Sequence, residues 1–356
     1  MNFDLVEGLN QKQDCVVDEL CFHHSVGNEP LAKPDAYKLF RASIRAIRFS
    51  TPISLEYFSI YRKIRNEYDI IHIHLPNPLA TLAPLIFPTR AKLVLHWHSD
   101  IVKQKMLKTF YRPFQTLLLK RAARIIVTSR NYFEASKDLQ SYKDKITVIP
   151  IGIDTEHLVF EQNDVTAIRK RYPGKKIVLS IGRLTYYKGF GYLIDAALSL
   201  PNDTVVLIGG CGELHDELQA RIVQNGLTGR VELIGRIPQR QIGAYYAAAD
   251  LFCLPSIIRT EAFGVVLLEA MAMGLPIVAC DIPGSGVNWV NSHRETGLNV
   301  PVCDSSTLAE AIVHLSDPSV RTSFSECCIR RYETLFSRDR MVADVYALYC
   351  SLPKDR

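Results

Sequence analysis

The residues best suited to chemistry lie in Glu261-Ala262-Phe263-Gly264-Val265-Val266-Leu267-Leu268-Glu269, where two carboxylates bracket an apolar run. A buried-looking strand candidate, Asp250-Leu251-Phe252-Cys253-Leu254-Pro255, precedes it. A polar loop from Ser256 to Thr260 intervenes, and the helical pattern then runs toward Met273 and stops at Gly274 with Pro276 beyond. The next strand candidate is Pro276-Ile277-Val278-Ala279-Cys280. Strand, loop, helix and strand of this length make one parallel crossover unit, and open parallel sheets bind ligands at the carboxyl ends of their strands. Glu261 falls at such an end. Glu269, about two turns further on, faces the same crevice if the helix starts near Phe263. The placement suggests a sugar-nucleotide site, whereas two glutamates on a helix standing alone would read equally as solvated surface.

Cations with matching placement occur earlier. Ile181-Gly182-Arg183-Leu184 followed by Tyr187-Lys188-Gly189 puts Arg183 and Lys188 on the loop after a strand candidate, where both can reach one pyrophosphate. Surface Arg and Lys are the ordinary alternative. Gly209-Gly210-Cys211-Gly212-Glu213 and Gly235-Arg236-Ile237-Pro238 follow the next two strand candidates in the same way; their glycines admit a ligand or merely close a turn. In the first half, His72 with His74 and His96 with His98 each have the alternation spacing that puts both side chains on one sheet face. A metal site could be assembled from them. No carboxylate or cysteine at ligand spacing completes it, so no metal is expected and His72 and His74 read as structural. His98, with Asp100 in His96-Trp97-His98-Ser99-Asp100, is the stronger candidate for contact with a sugar.

The elements that must position these residues are legible as alternating apolar runs and longer helical patterns in both halves, which argues α/β architecture with parallel sheets. In the first half the strand candidates are Ile70 to His74, Lys92 to His96, Arg124 to Thr128 and Ile146 to Ile149. After Pro150-Ile151-Gly152-Ile153-Asp154 the pattern restarts, with strands at Lys176 to Ile181, Thr204 to Ile208, Arg230 to Ile234, Asp250 to Leu254 and Ile277 to Cys280. Two sheets in tandem imply a cleft, with a hinge near 150 to 165. Ser337 to Leu352 reads as a helix with Met341, Val342, Val345, Leu348 and Tyr349 at helical spacing.

A chain of 356 residues, 47% hydrophobic and 22% charged, has room for two cores of ordinary size. No apolar run approaches the roughly 18 residues that span a bilayer. Nine cysteines stand singly apart from Cys327-Cys328, so neither a disulfide framework nor a zinc ribbon is signalled. A cytoplasmic protein without a secretory signal is expected. The net charge of +5 is uneven: residues 1 to 150 carry +8 and residues 151 to 356 carry −3. The excess concentrates in Lys103, Lys105, Lys108, Arg112, Lys120, Arg121, Arg124 and Arg130, interleaved with Met106, Leu107, Phe110, Tyr111, Phe114, Leu117, Leu118 and Leu119. Such a basic amphipathic segment, 103 to 130, suits an anionic membrane surface or a pyrophosphate-bearing acceptor. An ordinary solvated face is the alternative. Nucleic acid is not expected, because no stacking platform or reading helix accompanies the charge.

With these residues together, the chain resembles glycosyltransferase family 4, retaining nucleotide-sugar enzymes with the GT-B fold of two Rossmann-like domains facing across a cleft. The likeness runs from about Glu7 to the end, and rests on Gly182-Arg183, Lys188-Gly189, Gly235-Arg236-Ile237-Pro238, Pro255-Ser256, the Glu261/Glu269 motif and Pro283-Gly284-Ser285-Gly286. The stretch His98-Ser99-Asp100-Ile101-Val102-Lys103-Gln104-Lys105 looks like bacterial members that build lipopolysaccharide, capsule or exopolysaccharide.

The resemblance implies that residues 1–155 form the acceptor-side domain, 156–336 the nucleotide-sugar domain, and 337–356 a helix returning to the first. Arg183 and Lys188 would bind the donor diphosphate, and backbone around Arg236 and Ile237 would meet the base. Glu269 would hold the ribose hydroxyls and Glu261 the hydroxyls of the transferred sugar. The amides of Phe263, Gly264 and Val265 would meet its phosphate, and His98 would line the acceptor side. It implies transfer of a hexosyl unit from a UDP- or GDP-linked sugar to a lipid-linked or polysaccharide acceptor, peripherally on the inner face of the cell membrane. No cofactor or metal is expected, two cations supplying the charge.

Family members normally begin with a strand and a glycine-rich loop that have no counterpart here, Asn2 to Asn10 reading as the middle of a helix. The chain as written is therefore expected to transfer weakly or not at all. A non-catalytic sugar-nucleotide-binding or scaffold subunit, and a sugar-nucleotide epimerase, are the alternatives.

Overall fold

Short runs of aliphatic residues bounded by turn residues form parallel strands in both halves of the chain. A computed structural model describes residues 2–23, 37–48, 51–100 and 105–353. It divides into two units, Met1–Pro150 with Arg338–Arg356, and Ile151–Ser337. Each is a parallel-sheet α/β unit of Rossmann-like construction.

In the first unit β1 (Glu19–His23) and β2 (Leu39–Ser43) pair in parallel, and β3 (Ala46–Arg48) and β4 (Thr51–Ile53) pair antiparallel. Its main sheet has the order β5 (Ile70–Leu75), β6 (Lys92–Trp97), β7 (Arg124–Val127) and β8 (Ile146–Val148), all parallel. Helices begin where the sequence supplies caps: Asn77 accepts from the Ala80 amide ahead of Pro78, and Ser129 accepts from the Tyr132 amide. Helix Arg338–Cys350 packs against helix Asn2–Asn10, and Met341, Val342, Val345 and Leu348 share a core with Leu5, Leu9, Val94, Ile126 and Ile149.

The second unit holds β9 (Lys176–Ile181), β10 (Thr204–Gly209), β11 (Val231–Gly235), β12 (Leu251–Leu254), β13 (Ile277–Asp281) and β14 (Gly297–Pro301). They form one parallel sheet of order β11-β10-β9-β12-β13-β14. The central strands are buried on both faces, which is why they read as continuous apolar runs. Asp250 sets the start of β12: its carboxylate accepts from the Ile177 amide and the Arg169 guanidinium and pairs with Arg321. Burial alone would raise this carboxyl, yet those hydrogen bonds and charges hold it below its usual value.

Among the described helices none is long and apolar enough to cross a membrane. Residues 101–104, Lys103 among them, and the side chains of Lys105, Met106, Leu107 and Lys108 lie outside the described residues. From Thr109 onward, helix Lys105–Arg121 turns Leu118 and Leu119 inward and leaves Phe110, Phe114 and Leu117 exposed. Arg121 donates to the Pro84 carbonyl, Arg124 to the Ala123 carbonyl, and Arg130 pairs with Glu134. Arg112 and Lys120 are exposed on the same helix.

The two tryptophans, Trp97 and Trp289, fall one in each unit. Leu9→Ala, at a fully buried position, is expected to cost about 2–5 kcal/mol. The check is urea unfolding followed by Trp97 fluorescence in a Trp289→Phe background, with the exposed Leu198→Ala as the control that stays within about 0.5 kcal/mol.

Candidate active site

Strand order in the second unit reverses between β9 and β12, so the loops leaving these two strands diverge to opposite sides and open a crevice at their carboxyl ends. Residues 182–189 follow β9 and residues 255–264 follow β12. The loops are tied together, the Ile257 amide donating to the Tyr187 carbonyl at 2.9 Å. Gly189 has φ 69°, and a Cβ there would strike the Pro255 carbonyl, so only glycine permits this approach.

Lys188 crosses the crevice floor. Its side chain passes Gly182, where a Cβ would come within 3.2 Å of Lys188 Cε, and its Nζ reaches Glu261 Oε2 at 2.6 Å. Both side chains are only about a tenth exposed. Ser256 Oγ donates to the same Oε2 at 2.9 Å. Among the described residues Glu261 Oε1 has no partner. The backbone here is held from below: Ser285 Oγ donates to the Glu261 carbonyl, and the Gly286 amide donates to the Ala262 carbonyl at 2.8 Å. Ser256 and Ser285 thus hold the Glu261 carboxylate and carbonyl, roles with no signal in the sequence beyond their place in the Pro255-Ser256 and Pro283-Gly284-Ser285-Gly286 stretches.

The helix starts at Val265 rather than near Phe263. Gly264 takes the left-handed conformation (φ 78°, ψ 58°) and turns the chain into the helix, whose first amides lack intrahelical acceptors. Phe263 is buried for a separate reason, its ring packing against Trp289 and Phe336 at centroid distances of 6.2 and 6.1 Å. Val265 is exposed.

Glu269, on the same helix, is held at both oxygens. Tyr246 OH donates to Oε2 at 2.7 Å, and His157 Nε2 lies 3.2 Å from Oε1. Tyr246 is wholly buried, and burial followed by the Glu269 charge raises its hydroxyl well above the usual range. Neither Tyr246 nor His157 carries a motif signal in the sequence. His157 also lines a cavity of about 410 Å³ with Glu156, Val159, Phe160, Glu161, Gln239 and Arg240.

Of the remaining residues singled out from the sequence, Arg183 and Arg236 are exposed on the loops after β9 and β11. Ile237 packs over Gly209, where a Cβ would come within 2.7 Å of its Cδ1. His98 belongs to the first unit, just beyond β6, with its Nε2 2.8 Å from His74 Nδ1. Burial, then the His74 charge, pushes the His98 pKa down to about 3, so its ring is neutral at pH 7. Asp100 serves the fold: Trp97 Nε1 and Ser136 Oγ both donate to its Oδ1, at 2.9 and 2.8 Å.

Residues 161–326 match the family described as Glycosyl transferases group 1, and residues 3–157 match Glycosyltransferase Family 4. The chain is 32% identical over 344 residues to O-antigen chain mannosyltransferase C of Escherichia coli, covering 96% of this chain and 91% of that one. It is 31% identical over 309 residues to the D-rhamnosyltransferase WbpZ of Pseudomonas aeruginosa, covering 86% and 80%. Among solved structures, HepE of Anabaena in complex with UDP superposes with a TM-score of 0.76 at 20% identity, over 94% of this chain and all of that one. Sucrose-phosphate synthase of Thermosynechococcus elongatus gives 0.79 at 23% identity, over 98% and 91%. These two structures share the fold, and the sequence relatives carry the kinship: the chain is a glycosyltransferase and belongs to glycosyltransferase family 4.

Proposed function

We propose that the chain moves a hexosyl unit, with retention, from a UDP- or GDP-linked sugar to a lipid-linked or polysaccharide acceptor in cell-envelope glycan synthesis. The observation that carries the donor assignment is the Lys188–Glu261–Ser256 cluster at the point where strand order reverses, with Glu269 one helix away. Glu269, held by Tyr246 and His157, offers its remaining lone pairs to two ribose hydroxyls. Arg183 and the amides around Gly264 receive the diphosphate, with Lys188 adding positive charge from below. Glu261 Oε1 takes hydroxyls of the transferred sugar. Arg236 and Ile237 flank the base, and His98, a neutral ring, accepts or donates a hydrogen bond on the acceptor side.

In this reading the bond from the anomeric carbon to the diphosphate oxygen breaks first, and the cations offset the charge that develops on the leaving nucleotide. The acceptor hydroxyl attacks from the face the nucleotide is leaving, and the departing phosphate takes its proton. Glu261 acts as a fixed hydrogen-bond acceptor, its Oε1 turned to sugar hydroxyls while Lys188 and Ser256 hold Oε2. Related enzymes are named for mannosyl and D-rhamnosyl transfer, two sugars of the same ring configuration, which favours mannose-type donors.

The same protein is read as cytoplasmic and peripheral on the membrane. Exposed Phe110, Phe114 and Leu117 recur at helical spacing beside Arg112 and Lys120, a face suited to anionic headgroups.

Thermal shift against UDP, GDP and their mannose, glucose and galactose conjugates tests the donor site. One nucleotide series should stabilise the chain, by about 2.7 kcal/mol at 100 times its dissociation constant. Glu269→Gln should weaken binding of the free nucleotide roughly tenfold, about the net value of one charge-assisted hydrogen bond. Glu261→Gln should leave nucleotide binding nearly intact yet cut nucleotide release in the presence of acceptor by roughly a hundredfold. Nucleotide binding without any turnover in the parent chain would instead identify a scaffold subunit. For the membrane face, Arg112→Ala with Lys120→Ala should lower partition onto phosphatidylglycerol vesicles by about 2 kcal/mol, roughly thirtyfold. Flotation that is unchanged by the pair, or by added salt, would remove the membrane assignment.

A further inference from the structure

The first unit contains three histidines, His72, His74 and His96, to which the proposed transfer assigns no role. His72 and His74 alternate on β5 and project from one face, and His96 stands beside His74 in the register of β6. With His98 they form a continuous patch of rings, the centroids of 72 and 74, 74 and 96, and 96 and 98 lying 4.8, 5.0 and 4.3 Å apart. Two of the rings have hydrogen-bond partners at Nδ1. His72 Nδ1 is 2.6 Å from Tyr349 OH, and His74 Nδ1 is 2.8 Å from His98 Nε2. Inside the patch, His72 Nε2 and both nitrogens of His96 are buried without a partner among the described residues, and His96 is fully buried. An unsatisfied buried nitrogen costs about 1–3 kcal/mol, and three in one spot call for a ligand that takes nitrogen lone pairs.

We infer that His72, His74 and His96 bind one imidazole-seeking transition-metal ion of the zinc, cobalt or nickel type. Their ligating nitrogens lie within 4.8 Å of one another. A tetrahedral ion with Zn–N bonds of roughly 2.1 Å needs them about 3.4 Å apart, a difference that rotation of the rings can close. Metal binding selects the tautomers in which Nδ1–H of His72 donates to Tyr349 and Nδ1–H of His74 donates to His98, which leaves Nε2 of each ring unprotonated. Such outer hydrogen bonds to the far ring nitrogen are what orient metal-binding histidines. Three neutral imidazoles without a carboxylate favour borderline metals over Mg²⁺ or Mn²⁺. The fourth position is left to water or a ligand oxygen.

Nine free cysteines, with Cys211, Cys303 and Cys350 exposed, make thiolate binding the competing source of metal affinity, and cobalt distinguishes the two. The full chain, stripped with chelator and kept reduced, is titrated with Co²⁺. The expected result is one equivalent bound with visible d–d absorption, no near-ultraviolet thiolate band, and displacement by Zn²⁺. His72→Ala and His96→Ala should each weaken binding at least a hundredfold. Tyr349→Phe, which removes only the outer hydrogen-bond partner of His72, should weaken it roughly tenfold. Because His96 is fully buried and its variant can fail to fold, the half-buried His72 and the Tyr349 variant decide the matter, with circular dichroism confirming their folds. Absence of cobalt binding, as when water fills the patch, overturns the inference. So does binding that carries a thiolate band and survives His72→Ala.

Discussion

The second unit is organised around two opposite charges that have left water together. Removing a carboxylate and an ammonium from solvent costs several kcal/mol per ion, and the deficit is recovered only with close geometry and further hydrogen bonds. Lys188 and Glu261 meet that condition at 2.6 Å, with Ser256 on the same oxygen. The surrounding backbone follows from the pair. Gly182 leaves a path for the lysine stem, Gly189 lets two loops approach, and Ser285 anchors the carbonyl of Glu261. A crevice whose floor is already fixed by this pair can receive a ligand without rearranging its base.

What the sequence made legible follows from how each signal arises. Lys176–Ile181 is a run of apolar residues with a basic residue before it and glycine after it, and it is a strand at those bounds. Gly264 and Gly274 bracket the helix within two residues of the expected start, the small error arising because a left-handed glycine delays helical geometry. By contrast β1, β2 and β14 went unseen: Glu19–His23 and Leu39–Ser43 are half-buried mixtures without alternation, and Gly297–Pro301 opens on glycine and ends on proline. At the site, the residue types of Arg183, Lys188, Glu261 and Glu269 were readable because their chemistry is local to a strand end. Their pairings were not. Lys188 and Glu261 stand 73 residues apart, and Glu269 meets His157 across 112. Such partnerships are created by strand order alone.

The two units manage buried polarity in opposite ways. The second neutralises a charge pair, whereas the first gathers four imidazoles on one sheet face and keeps them uncharged, burial pushing His74 down to about 4. Asp100, which the sequence placed next to His98 as a sugar contact, is drawn into this scaffold by Trp97 and Ser136. A carboxylate near a candidate ligand-binding histidine is therefore not evidence of shared chemistry until its hydrogen bonds are counted.

The first unit is assembled from both ends of the described chain, helix Arg338–Cys350 closing over Leu5, Leu9, Val94, Ile126 and Ile149. On a ribosome this has a cost in time. The covering helix is made only after the whole of Ile151–Ser337, a delay of roughly 10–40 s at about 5–20 residues per second. Throughout it the apolar face of the nascent first unit stays uncovered while the second unit, contiguous in sequence, is free to fold. The helix that covers this face is thus supplied last, and truncation near the carboxyl end removes core packing from the unit that was translated first.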